Sequence, residues 1–276
     1  MPTFKLTIAY DGTGFVGWQR QASGSSIQGL LEDALSELDG RHVDVTGAGR
    51  TDAGVHALGQ VAGVSLERAI DRLTLMRAIN SRLPESVRIV DAAEAAPGFH
   101  ARFDARSKTY CYRIWNSEVM SPFERAYAWH VPSPTLDVAA MASAATLLEG
   151  PHDFAAFQAT GTDTRTTARE VFSSRVRAGS DFLQGPFSPK ELEATAHSLI
   201  TYEIAGGGFL RHMVRTIVGT LVEVGRGRRP AAWVSEVLRS RDRSGAGPTA
   251  PAHGLYLVSL EYRDGVVCQR SDRGIG

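Results

Sequence analysis

The chain has 276 residues, with 30 Lys+Arg against 30 Asp+Glu and a hydrophobic content of 43%. These values describe a globular protein and exclude a disordered or fibrous chain. The length allows one large domain or two modest ones, and the ratio of surface to volume favours two. All but three of the cationic residues are Arg, whose planar fork suits phosphate recognition, although codon usage alone produces the same bias.

The cysteines indicate a reducing compartment, and the apolar runs predict no membrane-spanning segment. Cys111 and Cys268 lie far apart and have no C-x-x-C spacing, which predicts neither a disulfide framework nor a thiolate zinc site. No apolar run approaches the roughly 18 residues of a membrane-spanning helix, and Lys5 interrupts the apolar stretch at the N-terminus. We therefore expect a cytoplasmic protein. The eight histidines show no pair at metal-ligand spacing, so we expect no metal site.

Strands and helices are mixed along the first part of the chain. Apolar residues at every second position from Phe4 to Tyr10 predict a half-buried strand that ends in a glycine turn. Apolar residues at helical spacing, after Ser25 or Ser26 as the cap, predict a helix over residues 26–38. The same patterns predict further strands over residues 42–46, 60–65 and 87–91 and a second helix over residues 67–81.

The pattern breaks before residue 105, where we place a domain boundary. The first domain then covers residues 1–105 and the second covers residues 106–263, with a flexible tail over 264–276. The second half is predicted to contain strands over 108–115, 168–178, 197–205 and 253–262 and helices over 136–148, 209–223 and 231–240. A Gly- and Pro-rich stretch over 179–193 is typical of a surface insertion.

The arrangement of elements predicts an α+β fold with mostly antiparallel strands. Neither half shows regular alternation of strand and helix with a glycine fingerprint at the start of a helix, which argues against a doubly wound nucleotide fold. The run Gly206-Gly207-Gly208 lacks the lysine of a phosphate-binding loop. A close approach of backbone to a strand or ligand is the simpler interpretation of this run.

The segment over residues 47–56 is the most unusual in the chain. Three glycines frame Arg50, Asp52 and His56 between two predicted strands, and loops on a rigid scaffold often carry function. In an ordinary turn, Asp52 would cap backbone amides and Arg50 would be solvated. A carboxylate beside a cation stays ionised well below its usual pKa of ~3.9, which suits a nucleophile or an electrostatic stabiliser.

Two further segments are consistent with nucleic-acid binding. Residues 205–243 contain eight arginines against three carboxylates, so a neutral chain has a window of net charge +5. Between Phe99 and Trp115, cations and aromatic residues interleave. Each segment alone is more typical of a solvated face or a core strand, but together they indicate stacking surfaces beside phosphate-binding cations, as RNA recognition requires.

Several sequence blocks carry a specific resemblance. The chain resembles the tRNA pseudouridine synthases of the A type, which isomerise uridines of the tRNA anticodon stem-loop. The similarity runs from about residue 6 to residue 262 and excludes the stretch over 179–193. The blocks that carry it are Tyr10-Asp11-Gly12-Thr13, Gly17-Trp18-Gln19, Ser26-Ile27-Gln28-Gly29, Gly49-Arg50-Thr51-Asp52-Ala53-Gly54-Val55-His56, Phe99-His100-Ala101-Arg102-Phe103, Lys108-Thr109-Tyr110-Cys111-Tyr112, His212-Met213-Val214-Arg215, Ile217-Val218-Gly219 and Gly254-Leu255-Tyr256-Leu257.

The resemblance assigns roles to three residues. It implies that Asp52 is the catalytic aspartate, that Tyr110 is the aromatic partner of the target base, and that Arg215 is the cation paired with Asp52. The reaction breaks the N1–C1′ glycosidic bond, turns the uracil and forms a C5–C1′ bond, so an ionised carboxylate can capture or stabilise the ribose centre. Attack of Asp52 on C1′ and attack on the base both remain open.

The resemblance also implies substrate contacts and partners. The target base must leave the helical stem, and Arg50 would fill the vacated space or bind a neighbouring phosphate. His212 and Leu255 are implied as further substrate-binding residues. The resemblance implies a homodimer, and it implies that the reaction needs no metal or cofactor. The implied fold has two αβ halves whose sheets join in one extended central sheet, with helices packed on it and the active site in the cleft between the halves.

Two alternative functions remain open. A non-catalytic RNA-binding protein would use the basic and aromatic residues and would have no need of Asp52. A hydrolase acting on a nucleoside or glycoside would use Asp52 with His56 and would release free base. The sequence departs from the family pattern at residues 205–208, where relatives usually carry an Asn, and at Arg211 and Thr216.

Overall fold

A computed structural model describes residues 1–161, 164–179 and 199–263. These residues form ten β-strands of a mixed sheet and five α-helices, which confirms the predicted α+β class. The chain separates into two compact units, one containing Met1–Arg106 and the chain from Leu257 onward, the other containing Ser107–Tyr256. Apart from Gly179, the predicted insertion and the predicted tail lie outside the described residues. The assignment of domains 1–105 and 106–263 stays a prediction.

Strand β1 organises the sheet of the first unit. It pairs antiparallel with β3 on one side and with β4 on the other, and β2 pairs antiparallel with β3. Phe4, Leu6 and Ile8 of β1 are fully buried, so the alternation in the sequence corresponds to a strand with one face in the core. The strands are β1 (Thr3–Tyr10), β2 (Thr46–Gly47), β3 (His56–Ser65) and β4 (Val87–Ala95).

The two helices of the first unit begin at side-chain caps. Helix α1 (Ile27–Asp39) starts after Ser26, whose hydroxyl accepts a hydrogen bond from the amide of Gly29, and it agrees with the predicted helix to within one residue. Helix α2 (Arg72–Asn80) starts five residues later than predicted. The reason is Asp71, whose carboxylate accepts from the amides of Leu73 and Thr74 and fixes the first turn there.

The predicted strand over residues 42–46 is wrong, because only β2 at its end pairs with a neighbour. Val43 and Val45 are buried, so the apolar alternation is real. Side chains take the place of a strand partner: the amide of Val43 donates to Ser36 Oγ, and Gln28 Nε2 donates to the carbonyl of Val45. Buried apolar residues at alternate positions therefore do not form a strand unless a neighbouring strand supplies backbone hydrogen bonds.

The second unit is built on β9, which pairs antiparallel with β5 and β8. Strand β7 pairs antiparallel with β8, and β6 pairs parallel with β5. Strands β6 and β7 are not predicted from the sequence, because strands of two and four residues are too short to show an alternation of apolar and polar residues. The strands are β5 (Ala105–Trp115), β6 (Trp129–His130), β7 (Gly150–Asp153), β8 (Ala168–Ala178) and β9 (Leu199–Gly206). Strand β10 (Leu255–Tyr262) begins in the second unit, and its residues from Leu257 belong to the first unit.

Three helices accompany these strands: α3 (Val138–Thr146), α4 (Met213–Gly225) and α5 (Trp233–Ser240). Helix α4 is the most deeply buried, since apolar residues occur on nearly all of its faces. It starts four residues later than predicted because His212, immediately before it, adopts a left-handed conformation with φ of 62°. The helix then runs without interruption through Gly219.

An extended segment over residues 247–251, which we call the strap, packs along α4. A Cβ atom on Gly219 would overlap the carbonyl oxygen of Pro248, so the helix and the strap approach as closely as glycine permits. The amide of Gly247 donates to Thr220 Oγ1 at 3.0 Å, and the amide of Ala250 donates to the carbonyl of Arg215 at 3.1 Å. The strap therefore fixes the segment that leads into β10 against the N-terminal half of α4.

We expect Gly219→Ala to lower the free energy of unfolding by about 1–3 kcal/mol, the usual cost of overpacking a core. The sign is diagnostic, because alanine at an uncrowded helix position would stabilise the helix by about 1 kcal/mol instead. Urea denaturation followed by circular dichroism measures the change. Ser143→Ala on the exposed face of α3 is the control and should stay within about 0.5 kcal/mol of wild type. An unchanged or increased stability of Gly219→Ala would contradict the close packing.

Candidate active site

The candidate active site of the first unit is the loop over residues 48–56 between β2 and β3, which we call the aspartate loop. Its first residues are tied to β3: the amide of Ala48 donates to the carbonyl of Val61 at 2.8 Å, and Gln60 Nε2 donates to the carbonyl of Gly49 at 2.8 Å. Gln60 is fully buried, and its Oε1 also accepts from the amide of Val61. Because both the nitrogen and the oxygen of this buried side-chain amide form hydrogen bonds, Gln60 holds the first residues of the loop in place.

Thr51, the residue before Asp52, is held through both its side chain and its backbone. The hydroxyls of Tyr10 and Thr51 form a buried hydrogen bond of 2.8 Å, and the amide of Trp18 donates to the Thr51 carbonyl at 3.1 Å. Burial raises the pKa of the Tyr10 hydroxyl to about 12, partly offset by the bond to Thr51. Tyr10 therefore stays neutral at physiological pH and anchors the residue next to the candidate catalytic group.

Two glycines allow neighbouring backbone to contact the aspartate loop directly. Gly17 has φ of 107°, and a Cβ atom there would lie 2.6 Å from the Thr51 carbonyl oxygen and 3.1 Å from the Asp52 carbonyl carbon. A Cβ atom on Gly12 would overlap the carbonyl oxygen of Val55. The glycines of the first two family blocks thus have a physical role, because any larger residue would push the loop away.

The three functional residue types in the loop differ in exposure. Arg50 is exposed, Asp52 is partly exposed, and His56 is almost fully buried. The carbonyl of Asp52 accepts from the amide of Val55 at 3.1 Å, which closes the turn. His56 Nδ1 lies 3.0 Å from the amide nitrogen of Gly12, so this ring anchors the exit of the loop. Because His56 is buried and its Nδ1 accepts from the amide of Gly12, it is poorly placed to act with Asp52 as the catalytic pair of a hydrolase.

The second unit contains the aromatic candidate, Tyr110 on β5. Its side chain is 8% exposed and meets Phe209 edge to face, with the ring centroids 5.2 Å apart. Tyr112, two residues further, lies on the same face of the strand and donates its hydroxyl proton to the carbonyl of Pro251 in the strap at 2.8 Å. Burial raises the pKa of Tyr112 above its usual range, so this ring is a structural anchor.

Arg215, the third residue of α4, is bound to the strap at two points. Its Nε donates to the carbonyl of Ala250 at 2.8 Å, and its own carbonyl accepts from the amide of Ala250. The side chain is partly exposed. A guanidinium held by its Nε has a defined direction, unlike that of a solvated arginine.

His212 and Leu255 lie at the starts of two elements of the second unit: His212 directly precedes α4, and Leu255 is the first residue of β10. The carbonyl of His212 accepts from the amide of Thr216 at 2.9 Å, which begins the helix despite the left-handed conformation of His212. Leu255 begins β10 as a buried residue, and its amide donates to the carbonyl of Ala252. A left-handed histidine is sparsely populated among residues with a Cβ atom, so the surrounding structure must impose it.

The structure distributes the candidate residues over the two units. Arg50 and Asp52 lie in the first unit, and the second unit contains Tyr110, His212, Arg215 and Leu255. Within the second unit the strap connects Arg215 and Tyr112. The predicted pairing of Asp52 with Arg215 stays a prediction.

Sequence reasoning missed the residues that hold the site together. Tyr10 and Trp18 belong to recognised blocks, but nothing in their spacing indicates a contact with Thr51. Gln60 offered one signal, since a polar residue inside an apolar strand requires a specific partner. Thr220 and Ala250 offered none.

Much of the basic window is engaged by the protein itself. Arg226 and Arg228 both pair with Glu223, at 3.2 and 3.1 Å, and Arg241 pairs with Asp153 at 3.0 Å. Arg243 donates to a carbonyl and a hydroxyl of the strap, and the guanidinium of Arg229 lies over the Trp233 ring. The charge of this window therefore stabilises the fold as well as attracting anions.

The described residues contain neither a metal-binding cluster nor a membrane-spanning helix. No group of three or more His, Cys, Asp or Glu side chains there could hold a metal ion. In the same part of the chain, every helix is too short or too polar to cross a membrane.

Comparison with known proteins gives a consistent result. A family model described as tRNA pseudouridine synthase matches residues 6–104 and 144–263. The protein named tRNA pseudouridine synthase A from Myxococcus xanthus is 46% identical over 265 residues, which cover 96% of this chain and 94% of that protein. Proteins of the same name from Moorella thermoacetica and Solibacter usitatus are each 44% identical, and each comparison covers 95% of this chain and 100% of the relative. The chain belongs to the tRNA pseudouridine synthase family.

Proposed function

We propose that this protein isomerises uridine to pseudouridine in the anticodon stem-loop of tRNA. The observation that carries the proposal is the similarity over nearly the full length to proteins named tRNA pseudouridine synthase A. The rigid aspartate loop gives this similarity a physical basis, because the glycines and aromatic residues of the matched blocks are the ones that hold Thr51 and Asp52.

The reaction conserves atoms and electrons. The N1–C1′ bond breaks, the uracil turns, and a C5–C1′ bond forms, while C5 loses a proton and N1 gains one. No oxidant or reductant is needed. Asp52 supplies the carboxylate that stabilises the electron-poor C1′ when the glycosidic bond breaks, as a carboxylate does in glycoside cleavage.

Arg215 and Tyr110 assist Asp52 in this proposal. Arg215 pairs with Asp52 and keeps the carboxylate ionised and oriented. The hydrogen bond from Nε to the strap carbonyl of Ala250 restricts the orientation of the guanidinium. Tyr110 stacks on the uracil, and the edge of Phe209 supports its ring.

The remaining candidate residues handle the RNA. Arg50 is exposed beside Asp52 in the chain, which suits a side chain that enters the space left by the flipped base or binds the neighbouring phosphate. His212 and Leu255 contact the substrate next to the strap. We also infer a homodimer from the family resemblance, and a cytoplasmic location because tRNA is the substrate.

We expect Asp52→Asn to reduce pseudouridine formation by roughly 10³-fold or more, because the amide cannot stabilise C1′ as a carboxylate does. Unmodified tRNA is incubated with wild type and variant in EDTA, and pseudouridine is mapped by carbodiimide treatment and primer extension. Filter binding to the same tRNA is the control for folding and should give affinities within a few-fold of each other.

Three results would contradict this proposal. Primer-extension stops of equal strength with Asp52→Asn would remove Asp52 from the chemistry. Free uracil in the wild-type reaction would indicate a nucleoside hydrolase. Tight tRNA binding by wild type without any stops would indicate a non-catalytic RNA-binding protein.

Arg215→Lys tests the proposed direction of the guanidinium. Lysine keeps the charge but loses the Nε bond to Ala250 and the fork geometry, so kcat should fall about 100-fold with little change in tRNA affinity. Arg239→Lys is the matched control, since Arg239 Nε also donates to a backbone carbonyl, that of Ser235 in the same helix. Equal kcat values for the two variants would contradict a specific role for Arg215.

The inferred dimer is tested by sedimentation velocity at micromolar protein concentration. The expected result is one species with twice the mass of a single chain. A species with the mass of one chain would contradict the homodimer and leave the isomerase proposal intact.

A further inference from the structure

A large aromatic side chain is exposed on a rigid turn of the first unit. Phe103 is 75% exposed, although Ala101 two residues earlier is fully buried. Both belong to the segment over residues 100–104, which we call the Phe103 turn. The mechanism above gives this side chain no role, and exposure of a whole phenyl ring in water is unfavourable by itself.

Hydrogen bonds within the Phe103 turn fix its backbone. His100 Nδ1 accepts from the amides of Arg102 and Phe103, each at 3.2 Å, and the amide of His100 donates to Asp104 Oδ2 at 2.8 Å. The carbonyl of His100 accepts from the amides of Phe103 and Asp104, both at 3.1 Å. The ring of Phe103 is therefore presented by a backbone whose polar groups are satisfied, so little entropy is lost when a ligand binds it.

The base of the turn is anchored in the core. The hydroxyl of Tyr262 donates to the carbonyl of Ala101 at 2.7 Å, and the Tyr262 ring packs against Phe99 with the centroids 5.5 Å apart. Lys5 Nζ lies 5.3 Å from the centroid of the same Tyr262 ring. The turn thus rests on β1 and β10, and its tip cannot fold inward to bury Phe103.

The immediate surroundings of Phe103 are aromatic and charged, and they include the carboxylate of Asp104, which accepts from the amide of His100. The imidazole of His100 lies against one side of it, with centroids 4.1 Å apart and an angle of 30° between the rings. The Cζ atom of Arg102 lies 5.8 Å from the centroid of the Phe103 ring. Arg102 and Arg106 are both exposed. A hydrophobic protein partner would require a contiguous apolar patch, whereas charged residues surround this ring along the chain.

We propose that the Phe103 turn is a binding site for an unpaired base of the tRNA substrate, which stacks on Phe103 while Arg102 contacts the adjacent phosphate. Aromatic faces stack with any base, and single-stranded RNA bases are commonly recognised in this way. The stacked base is a second base, distinct from the target uridine. The tRNA as ligand rests on the proposed function, whereas the stacking site rests on the geometry of the turn.

Equilibrium binding tests this site. Affinity for unmodified tRNA is measured by filter binding in the Asp52→Asn background, so that no turnover occurs. Phe103→Ala should weaken binding about 5- to 150-fold, which corresponds to about 1–3 kcal/mol per stacked base at 1.4 kcal/mol per factor of ten. Phe103→Trp should bind at least as tightly as the parent, because it keeps the stacking face. Phe123→Ala is the matched control, since Phe123 is a phenylalanine of the second unit that is 84% exposed, slightly more than Phe103.

The salt dependence separates stacking from charge. Phe103→Ala should leave the slope of log affinity against log salt unchanged, because a phenyl ring releases no counterions. Arg102→Gln should reduce the magnitude of this slope by about 1, as the loss of one phosphate contact predicts. Melting temperatures of all variants are compared with the parent, and we expect no change because the substituted side chains are exposed.

An anticodon stem-loop series with one abasic nucleotide at each loop position then identifies the base. At one position, away from the target uridine, the abasic RNA lacks the base that stacks on Phe103. Phe103→Ala and the parent should bind this RNA with equal affinity. Parental affinity of Phe103→Ala for intact tRNA would overturn the proposal, as would a loss that Phe123→Ala matches. A change in the sedimentation coefficient of free Phe103→Ala would assign the ring to a contact between proteins and would also overturn it.

The proposed function fails separately. If wild type forms no pseudouridine while Phe103→Ala still weakens binding with an unchanged salt slope, the stacking site stands and the isomerase proposal fails. If wild type is active and Phe103→Ala binds normally, the stacking site fails alone.

Discussion

The buried hydrogen bond between Tyr10 and Thr51 is the interaction on which the candidate site most depends. The aspartate loop lies between two strands, and besides the turn closed by the bond from Val55 to Asp52, contacts with residues outside the loop hold its shape. A net gain of only about 1 kcal/mol is typical of such a bond, but leaving one buried hydroxyl without its partner costs about 1–3 kcal/mol. Breaking it would therefore release Thr51, and with it the direction in which Asp52 points.

The second unit holds its candidate cation by the same physical means. Arg215 is fixed by a non-regular segment, the strap, through one side-chain and one backbone hydrogen bond to Ala250. Gly219 lets the strap reach the helix, just as Gly17 lets backbone reach Thr51. In both units a glycine brings backbone against backbone, and the functional side chain is positioned as a result. Substitutions at these glycines should then alter activity without touching substrate.

The sequence predicts the parts that follow from periodicity and capping. Strand β1 and helix α1 are correct within one residue because alternation, a serine cap and a closing glycine agree. The predicted start of α2 was wrong because the carboxylate of Asp71 caps the amides of Leu73 and Thr74, a contact that the apolar period does not record. The glycine-framed loop makes Asp52 a candidate by itself, whereas Tyr110 and Arg215 are implied by the resemblance alone. Their supports, such as the strap and the amide of Trp18, depend on contacts across long stretches of sequence, which no local pattern records.

Charge alone cannot account for RNA recognition by this chain. The formal net charge is zero, and several arginines of the basic window neutralise Glu223 and Asp153 inside the protein. The window charge of +5 already counts Glu223, and the pairing of Arg241 with Asp153, which lies outside the window, lowers the charge available to RNA phosphates below that value. The remaining affinity must come from contacts that charge does not govern, namely stacking and shape. An aromatic ring held rigid and exposed, as Phe103 is, supplies that kind of contact, and this explains why the fold retains it in water.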